Sequence, residues 1–89
     1  MNFQQLRSVR EAVRRGFNLT EVAQALHTSQ PGVSRQIREL EETLDRPLFH
    51  RLHRKVELTE AGATLAAATA RAFEGIEAAL VRIDRKSVV

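Results

Sequence analysis

The sequence predicts a mainly α-helical fold in which three helices and a two-stranded hairpin precede one long helix. Apolar residues recur at helical spacing in three separate segments before residue 45. Apolar and polar residues then alternate over residues 48–58 around a basic tip, which is typical of a hairpin. Residues 60–86 are rich in alanine and contain no proline, as expected of one continuous helix. With 89 residues, the chain has room for one small domain and not for a deep substrate cleft.

The first two helices are predicted from their capping residues. Asn2 is a good N-cap for a helix whose apolar positions are Phe3, Leu6, Val9 and Val13, and Gly16 predicts its end. Thr20 is expected to cap a short second helix that ends at residues 27–28. The inward residues of that helix are expected to be Val22, Ala23 and Leu26.

The third helix is predicted to begin after Ser29, which can cap it, and Pro31 is tolerated in its first turn. Its apolar stripe consists of Val33, Ile37, Leu40 and Leu44. The second helix ends at residues 27–28 and the third begins after Ser29, and two helices joined by such a short turn predict a helix-turn-helix. The hairpin that follows makes the prediction a winged helix-turn-helix. Residues 1–59 are therefore predicted to form a winged helix-turn-helix domain, and residues 60–89 a separate linker or dimerisation helix, capped by Thr59.

The outward face of the third helix carries the residue types that recognise base edges in a major groove. Arginine can bind guanine in a bidentate manner, glutamine can bind adenine, and an apolar ring can contact a thymine methyl group. The base-contacting candidates are Gln30, Pro31, Ser34 and Arg35, and Arg38 lies on the same face. The alternative for the arginines is an ordinary solvated helix face.

The predicted hairpin forms a local electropositive patch on a chain whose net charge is only +3. Residues 46–55 contain four fixed positive charges, two histidines and no acid. Arg54 at the tip is predicted to enter a minor groove, and Arg51 and Lys55 to contact phosphates, with Arg46 assisting. Each of these side chains could also be a plain surface charge.

Other classes of function find little support in the composition. The two hairpin histidines fall short of a metal-ligand set, and neither a metal nor another cofactor is expected. The serines have no glycine elbow around them, so the chain is not expected to be an enzyme. The chain has no cysteine and no segment near the 20 or so apolar residues that a membrane span needs, so a cytoplasmic location without membrane association is predicted.

The long helix carries an apolar stripe at the spacing of a two-helix seam. Its positions are Leu65, Thr69, Ala72, Ile76, Ala79 and Ile83, flanked by Phe73 and Leu80. Since the stripe is expected to stand beyond the globular core, it needs a partner to cover it, and a second copy of the chain is the simplest one. The sequence therefore predicts a homodimer through this helix. The alternative is that the helix folds back on its own domain.

Three motifs resemble the N-terminal region of LysR-type transcriptional regulators, and the resemblance covers nearly the whole chain. They are the Ser-Gln-Pro-x-x-Ser-Arg run at residues 29–35, Pro-Leu-Phe at 47–49 and Leu-Thr-Glu-Ala-Gly at 58–62. The resemblance implies a dimeric regulator that binds promoter DNA. It also implies that Gln30, Pro31, Ser34 and Arg35 contact the major groove and that Arg54 contacts the minor groove.

The chain is similar to one branch of the family and departs from the family in two respects. The opening residues 2–5 and 17–20 are similar to the branch that controls sulphur assimilation. Asp45 stands where the family usually has glycine, at a helix end that favours a left-handed backbone. Members of the family continue into a large effector-binding domain, so the chain is expected to be the DNA-binding fragment of such a regulator.

Two alternatives remain open. One is a winged-helix regulator of another family, although its wing would be expected to be longer. The other is a coiled-coil protein-interaction module in which the three helices are a passive cap. Salt-dependent binding to duplex DNA separates the second alternative from the main hypothesis, because neutralisation of phosphates makes affinity fall steeply with salt.

Overall fold

The computed structural model describes the backbone of residues 1–88 and the side chains of residues 1–84. The helices and strands follow one another as α1 (Phe3–Arg14), α2 (Leu19–Ala25), α3 (Gln30–Leu44), β1 (Phe49–Leu52), β2 (Lys55–Leu58) and α4 (Glu60–Val88). This order confirms the predicted winged helix-turn-helix with a long final helix. Val89, the last residue of the segment predicted over 60–89, lies outside the described residues.

Two of the three predicted N-caps of the first helices are confirmed. The Asn2 side chain accepts the Gln5 backbone N–H at 2.9 Å, and the Gln5 side chain accepts the Asn2 N–H at 3.2 Å, which is a capping box. Ser29 Oγ accepts the Gly32 N–H at 3.1 Å. The prediction that Thr20 caps α2 was wrong. Asn18 is the cap, because its extended backbone lets its side chain accept the Glu21 N–H at 3.2 Å.

The core lies where the three short helices meet the start of the wing. Its buried members are Val9, Ala12, Val22, Ala23, Val33, Ile37, Leu40 and Leu48. The predicted stripe of α3 reaches this core except at Leu44, which is 38% exposed. The reason is local, since Leu44 is the last residue of α3 and the chain turns away at Asp45, whose φ of 52° is left-handed. The expected left-handed helix end at Asp45 is therefore confirmed.

The wing is a two-stranded antiparallel hairpin in which Phe49 pairs with Leu58 and Leu52 with Lys55. The two residues between the strands, His53 and Arg54, have φ values of 49° and 70°. Positive φ at both positions is the geometry of the tight two-residue turn that matches the twist of the strands. Arg54 thus occupies the narrow end of the hairpin, as predicted.

Thr59 ties the start of α4 to the segment that leads into the wing and also caps the helix. Thr59 donates its backbone N–H to Leu48 O at 3.0 Å and its hydroxyl to Pro47 O at 2.7 Å. The same hydroxyl oxygen accepts the Gly62 N–H at 3.0 Å, which confirms Thr59 as the cap of α4. Gly62 lies so close to the Leu48 carbonyl that a Cβ atom would have no room there.

The first half of α4 packs on its own domain. Thr69 and Phe73 are 4% and 7% exposed, and the Phe73 ring lies 5.1 Å from the Phe3 ring and 4.9 Å below the Arg10 guanidinium. Leu65 packs against the core. The expectation that the whole apolar stripe stands beyond the core was therefore wrong for this half, because α1 covers it.

The second half of α4 extends past the domain, and the molecule reaches 53 Å along its longest axis against 24 and 21 Å across. Ile76, Leu80 and Val81 are each at least 43% exposed there. Within the described residues, no helix combines the length and apolar content required to cross a lipid bilayer.

Candidate nucleic-acid interface

The N-terminal turns of α3 expose most of their polar residues, together with Pro31, on one side and bury Val33 and Ile37 on the other. Gln30, Pro31, Arg35 and Arg38 are exposed and Ser34 is half-buried, whereas the opposite side of the same turns lies in the core. The separation follows from a helix that starts sharply, with Ser29 as its cap and proline in its first turn. The structure thus presents the five predicted base-contacting and flanking residues on one accessible helix face.

Gln30, the first residue of α3, is tied to the helix that precedes it. Its Nε2 donates a hydrogen bond to Thr20 Oγ1 at 2.7 Å. Both side chains are exposed, so this bond lies on the surface of the helix-turn-helix. Sequence reasoning missed it, because it had Thr20 as a cap whose hydroxyl bonds to its own helix.

The wing stands beside α3 across a groove of about 380 Å³. Ser34 and Arg38 line the groove from α3, and His50 and Arg51 line it from the wing. Arg51, Lys55 and Arg54 at the tip are exposed. The groove thus brings together three of the predicted contact residues, Ser34 and Arg38 of α3 and Arg51 of the wing, and Glu41 lines it as well.

Glu41 connects α3 to the wing through the backbone. Its Oε2 accepts the N–H of Leu48 at 2.7 Å and the N–H of Phe49 at 3.4 Å. The Phe49 ring then packs edge-on against Phe17, with centroids 5.2 Å apart. In the sequence, Glu41 is only one of several acids at the C-terminal end of α3. No periodicity marks a carboxylate that bonds backbone seven and eight residues further along the chain.

Among the described residues, one of the two wing histidines lies close to an acidic side chain. His50 Nε2 lies 3.8 Å from Glu57 Oε2 on the facing strand. Among the described residues, no group of three or more histidine, cysteine, aspartate or glutamate side chains is arranged to hold a metal ion.

Three arginines of α1 and its C-cap contact one buried acid. Glu11 accepts hydrogen bonds from Arg15 at 2.9 Å, Arg14 at 3.1 Å and Arg10 at 3.4 Å. Burial opposes its ionisation, but the hydrogen bond from Arg15 and the charges of Arg14, Arg15 and Arg10 outweigh this effect and lower the pKa of Glu11. Arg7 stands four residues before Glu11, a spacing that predicts an ion pair on a helix, but Arg10, Arg14 and Arg15 take the carboxylate.

Arg10 also links α1 to α4. Its Nη2 lies 2.9 Å from Glu77 Oε1, in addition to the contact of its guanidinium with the Phe73 ring. Of the predicted dimer residues, Phe73 and Leu65 are thus covered by the chain's own domain. The remaining ones are exposed in the structure and are Ala72, Ile76, Ala79, Leu80 and Ile83.

A family model described as "Bacterial regulatory helix-turn-helix protein, lysR family" matches residues 3–63. The transcriptional regulator CysB of Burkholderia cenocepacia is 51% identical over 78 residues, which are 86% of this chain and 25% of CysB. The regulator SsuR of the same organism is 59% identical over 63 residues, 70% of this chain and 20% of SsuR. The chain thus spans a quarter or less of the length of these relatives.

The fold is similar to that of DNA-binding domains in solved complexes. The structure of the BenM DBD/catB site 1 DNA complex has a TM-score of 0.82 and 28% identity, with 98% of this chain and 97% of that chain covered. The CbnR DBD-DNA complex has a TM-score of 0.76 and 33% identity, with 98% and 99% covered.

Proposed function

The chain belongs to the LysR family of bacterial regulatory helix-turn-helix proteins, and from this membership we propose that it binds double-stranded promoter DNA sequence-specifically as the DNA-binding part of a dimeric transcriptional regulator. The observation that carries the proposal is the exposed polar face of α3 beside the basic wing, bordering one groove. The similarity to the BenM and CbnR domains, whose structures were solved with DNA, supports it. The relatives are transcriptional regulators, and the proposal assigns no catalytic step.

In this proposal the first two turns of α3 enter the major groove. Arg35 is placed to donate two hydrogen bonds to one guanine, and Gln30 to pair with one adenine. Pro31 and Ser34 complete the base-contacting face, and Arg38 neutralises an adjacent phosphate. The acids of α3 begin at Glu39, where a docked helix leaves the groove and negative charge costs less.

The wing supplies the second set of contacts. Arg54 occupies a two-residue turn, so its guanidinium sits at the narrowest part of the hairpin and fits a minor groove. Arg51 and Lys55 lie on the strands on either side of the tip, where they can bind phosphates. Glu41 holds the base of the wing against α3, which sets the distance between the two groove contacts.

The proposal is tested by selecting duplexes from a random pool with the full chain and with two arginine variants. Arg35→Ala and Arg7→Ala each remove one exposed charge from the same domain. Arg35→Ala is expected to lose about 1–3 kcal/mol of specific affinity and to relax selection at one base pair. Arg7→Ala should select the parent sequence. Equal, sequence-independent weakening by both variants would contradict base contact by Arg35.

The second half of α4 is proposed to hold two copies together. Ile76 and Leu80 are 43% and 54% exposed on a helix that already extends past its domain. Burial of each such side chain against a second copy contributes about 1.5–3 kcal/mol at most. The small residues Ala72 and Ala79 on the same stripe allow two helices to approach closely. A dimer would place two copies of α3 on an inverted repeat, which raises affinity through effective concentration.

Sedimentation equilibrium on the full chain and two aspartate variants tests the dimer. Ile76→Asp should yield a monomer that binds its inverted repeat much more weakly. Ala78→Asp adds the same charge on the opposite side of α4 and should leave the dimer intact. A parent chain that stays monomeric at micromolar concentration, or equal effects of the two variants, would contradict the assignment.

The similarity to CysB and SsuR supports the expected place in the sulphur-assimilation branch. A bacterial regulator of this kind acts in the cytoplasm, where the chromosome lies. Mapping of the bound chromosomal sites tests both points, because the proposal expects the selected sequence upstream of genes for sulphur uptake. Sites spread without relation to those genes would contradict the branch and not the DNA binding.

A further inference from the structure

We propose that Thr20 is a positioning residue that makes Gln30 select adenine over guanine. The inference rests on the proposed function, in which the face of α3 that bears Gln30 enters the major groove. Its basis is the hydrogen bond of 2.7 Å that Gln30 Nε2 donates to Thr20 Oγ1. Thr20 is thereby assigned to base selection without itself touching a base.

Both residues of this hydrogen bond lie in helices that have N-caps and pack on the core. Thr20 lies in the first turn of α2, which Asn18 caps, and Gln30 opens α3, which Ser29 caps. Val22 of α2 and Val33 of α3, each 0% exposed, belong to the same buried core. The distance between the Thr20 and Gln30 backbones is therefore set by the core, so the bond restrains a long side chain that would otherwise sample many rotamers.

The bond also changes which groups Gln30 can offer to DNA. A glutamine amide has two N–H donors and one oxygen acceptor, and Thr20 takes one of the donors. One donor and one acceptor remain. They match adenine, which presents the N7 acceptor beside the N6 amino donor.

Guanine presents two acceptors, N7 and O6, at the same place. An unrestrained glutamine can meet them with both of its N–H groups. With one N–H held by Thr20, the amide can satisfy only one acceptor, and its oxygen faces the other. The hydroxyl of Thr20 therefore acts against guanine at the base pair that Gln30 contacts.

The test measures the ratio of affinities for adenine and guanine at that base pair, with the full chain and otherwise identical duplexes. The base pair is the one at which Gln30→Ala abolishes preference. Thr20→Val removes the hydroxyl at nearly the same volume and is expected to lower the ratio about three- to tenfold, the value of one hydrogen bond. Thr20→Ser keeps a hydroxyl and should keep most of the ratio.

Two controls make the result specific. Thr43→Val removes another exposed hydroxyl of the same domain, one that bonds to Glu39 O, and should leave the ratio unchanged. In a Gln30→Ala background, Thr20→Val should have no further effect on any duplex. Circular dichroism confirms the fold of each variant, and Thr20 is exposed, so folding is expected to survive.

An unchanged ratio in Thr20→Val would overturn the proposal. So would a loss of affinity shared by all duplexes that persists in the Gln30→Ala background, because Thr20 would then contact DNA directly. If the unmodified chain preferred no base at any position, the proposed function itself would fail and this inference with it. The three outcomes are distinguishable in one set of titrations.

Discussion

Gly62→Ala is expected to destabilise the fold, although glycine is normally the poorer residue inside a helix. An added Cβ would overlap the Leu48 carbonyl oxygen and lie 3.0 Å from the Leu48 carbonyl carbon and 3.1 Å from Leu58 Cδ2. Carbon atoms pack best at about 3.5–4.0 Å, so α4 would have to withdraw from the wing. The obstacle is largely backbone, which cannot rotate out of the way as a flexible side chain could.

The size of the effect follows from one stabilising and two destabilising contributions. Replacing glycine by alanine within a helix stabilises it by about 1 kcal/mol. Overpacking costs about 1–3 kcal/mol. Withdrawal of α4 also strains the hydrogen bonds that Thr59 makes to Leu48 O and Pro47 O, each contributing about 0.5–1.5 kcal/mol. The net loss is about 2 kcal/mol, which lowers Tm by roughly 10 °C for a domain of this size.

Thermal unfolding followed by circular dichroism, at one protein concentration, measures this loss. Gly75→Ala is the matched control, because it makes the same substitution in the same helix and an added Cβ meets nothing within 4 Å. It should leave stability unchanged or raise it by up to about 1 kcal/mol. A loss of stability in Gly62→Ala without a loss in Gly75→Ala is the predicted result. A Gly62→Ala variant as stable as Gly75→Ala would refute the close packing of α4 on the wing.

Three further predictions concern other contacts of the domain. Glu41→Gln should cost about 1–2 kcal/mol in urea unfolding, because a charged acceptor of the Leu48 and Phe49 N–H groups becomes neutral, whereas the exposed Glu42→Gln should cost little. Because folding lowers the pKa of Glu11, its ionised carboxylate stabilises the fold at pH values above the ordinary pKa of 4.5, and this stabilisation is lost as the pH falls through the lower pKa of the folded state. The stability advantage of the parent over Glu11→Gln should therefore shrink on acidification. A constant difference would count against the arginine cluster. Arg54→Ala should weaken binding more at sites with A·T-rich flanks than with G·C-rich flanks, measured by fluorescence anisotropy, and equal losses would argue against minor-groove entry.

Much of the fold could be predicted from local signals. Ser29 and Thr59 each precede a helix and accept an N–H three residues later, so sequence spacing alone identifies them. The wing follows from alternation around a tip. The cap of α2 could not be decided in this way, because Asn18 and Thr20 are both good capping residues two positions apart. The backbone decides the choice, because Asn18 is extended and directly follows Phe17, whose φ of 66° is left-handed.

The features that were missed depend on contacts between distant residues. A seam spacing shows that one side of α4 is buried, but not whether α1 or a second copy buries it. Phe73 proved to lie under Arg10 and against Phe3, whereas Ile76 further along stays exposed. The bonds of Glu41 to the wing and of Gln30 to Thr20 likewise join separate elements, and no local pattern encodes them.

Entry of α3 into the major groove is tested most directly by a cleavage probe on its outward face. The chain contains no cysteine, so Glu42→Cys allows an iron chelate to be attached at one position only. Glu42 lies on the outward face near the C-terminal end of α3, where the substitution should leave DNA binding intact. On the selected duplex, this probe is predicted to cut the DNA in two symmetric clusters, one in each half-site. The same chelate on Ala78→Cys in α4 should cut weakly and without a defined position. Diffuse cutting from Glu42→Cys, or stronger cutting from Ala78→Cys, on a duplex that both variants bind would contradict DNA recognition by α3.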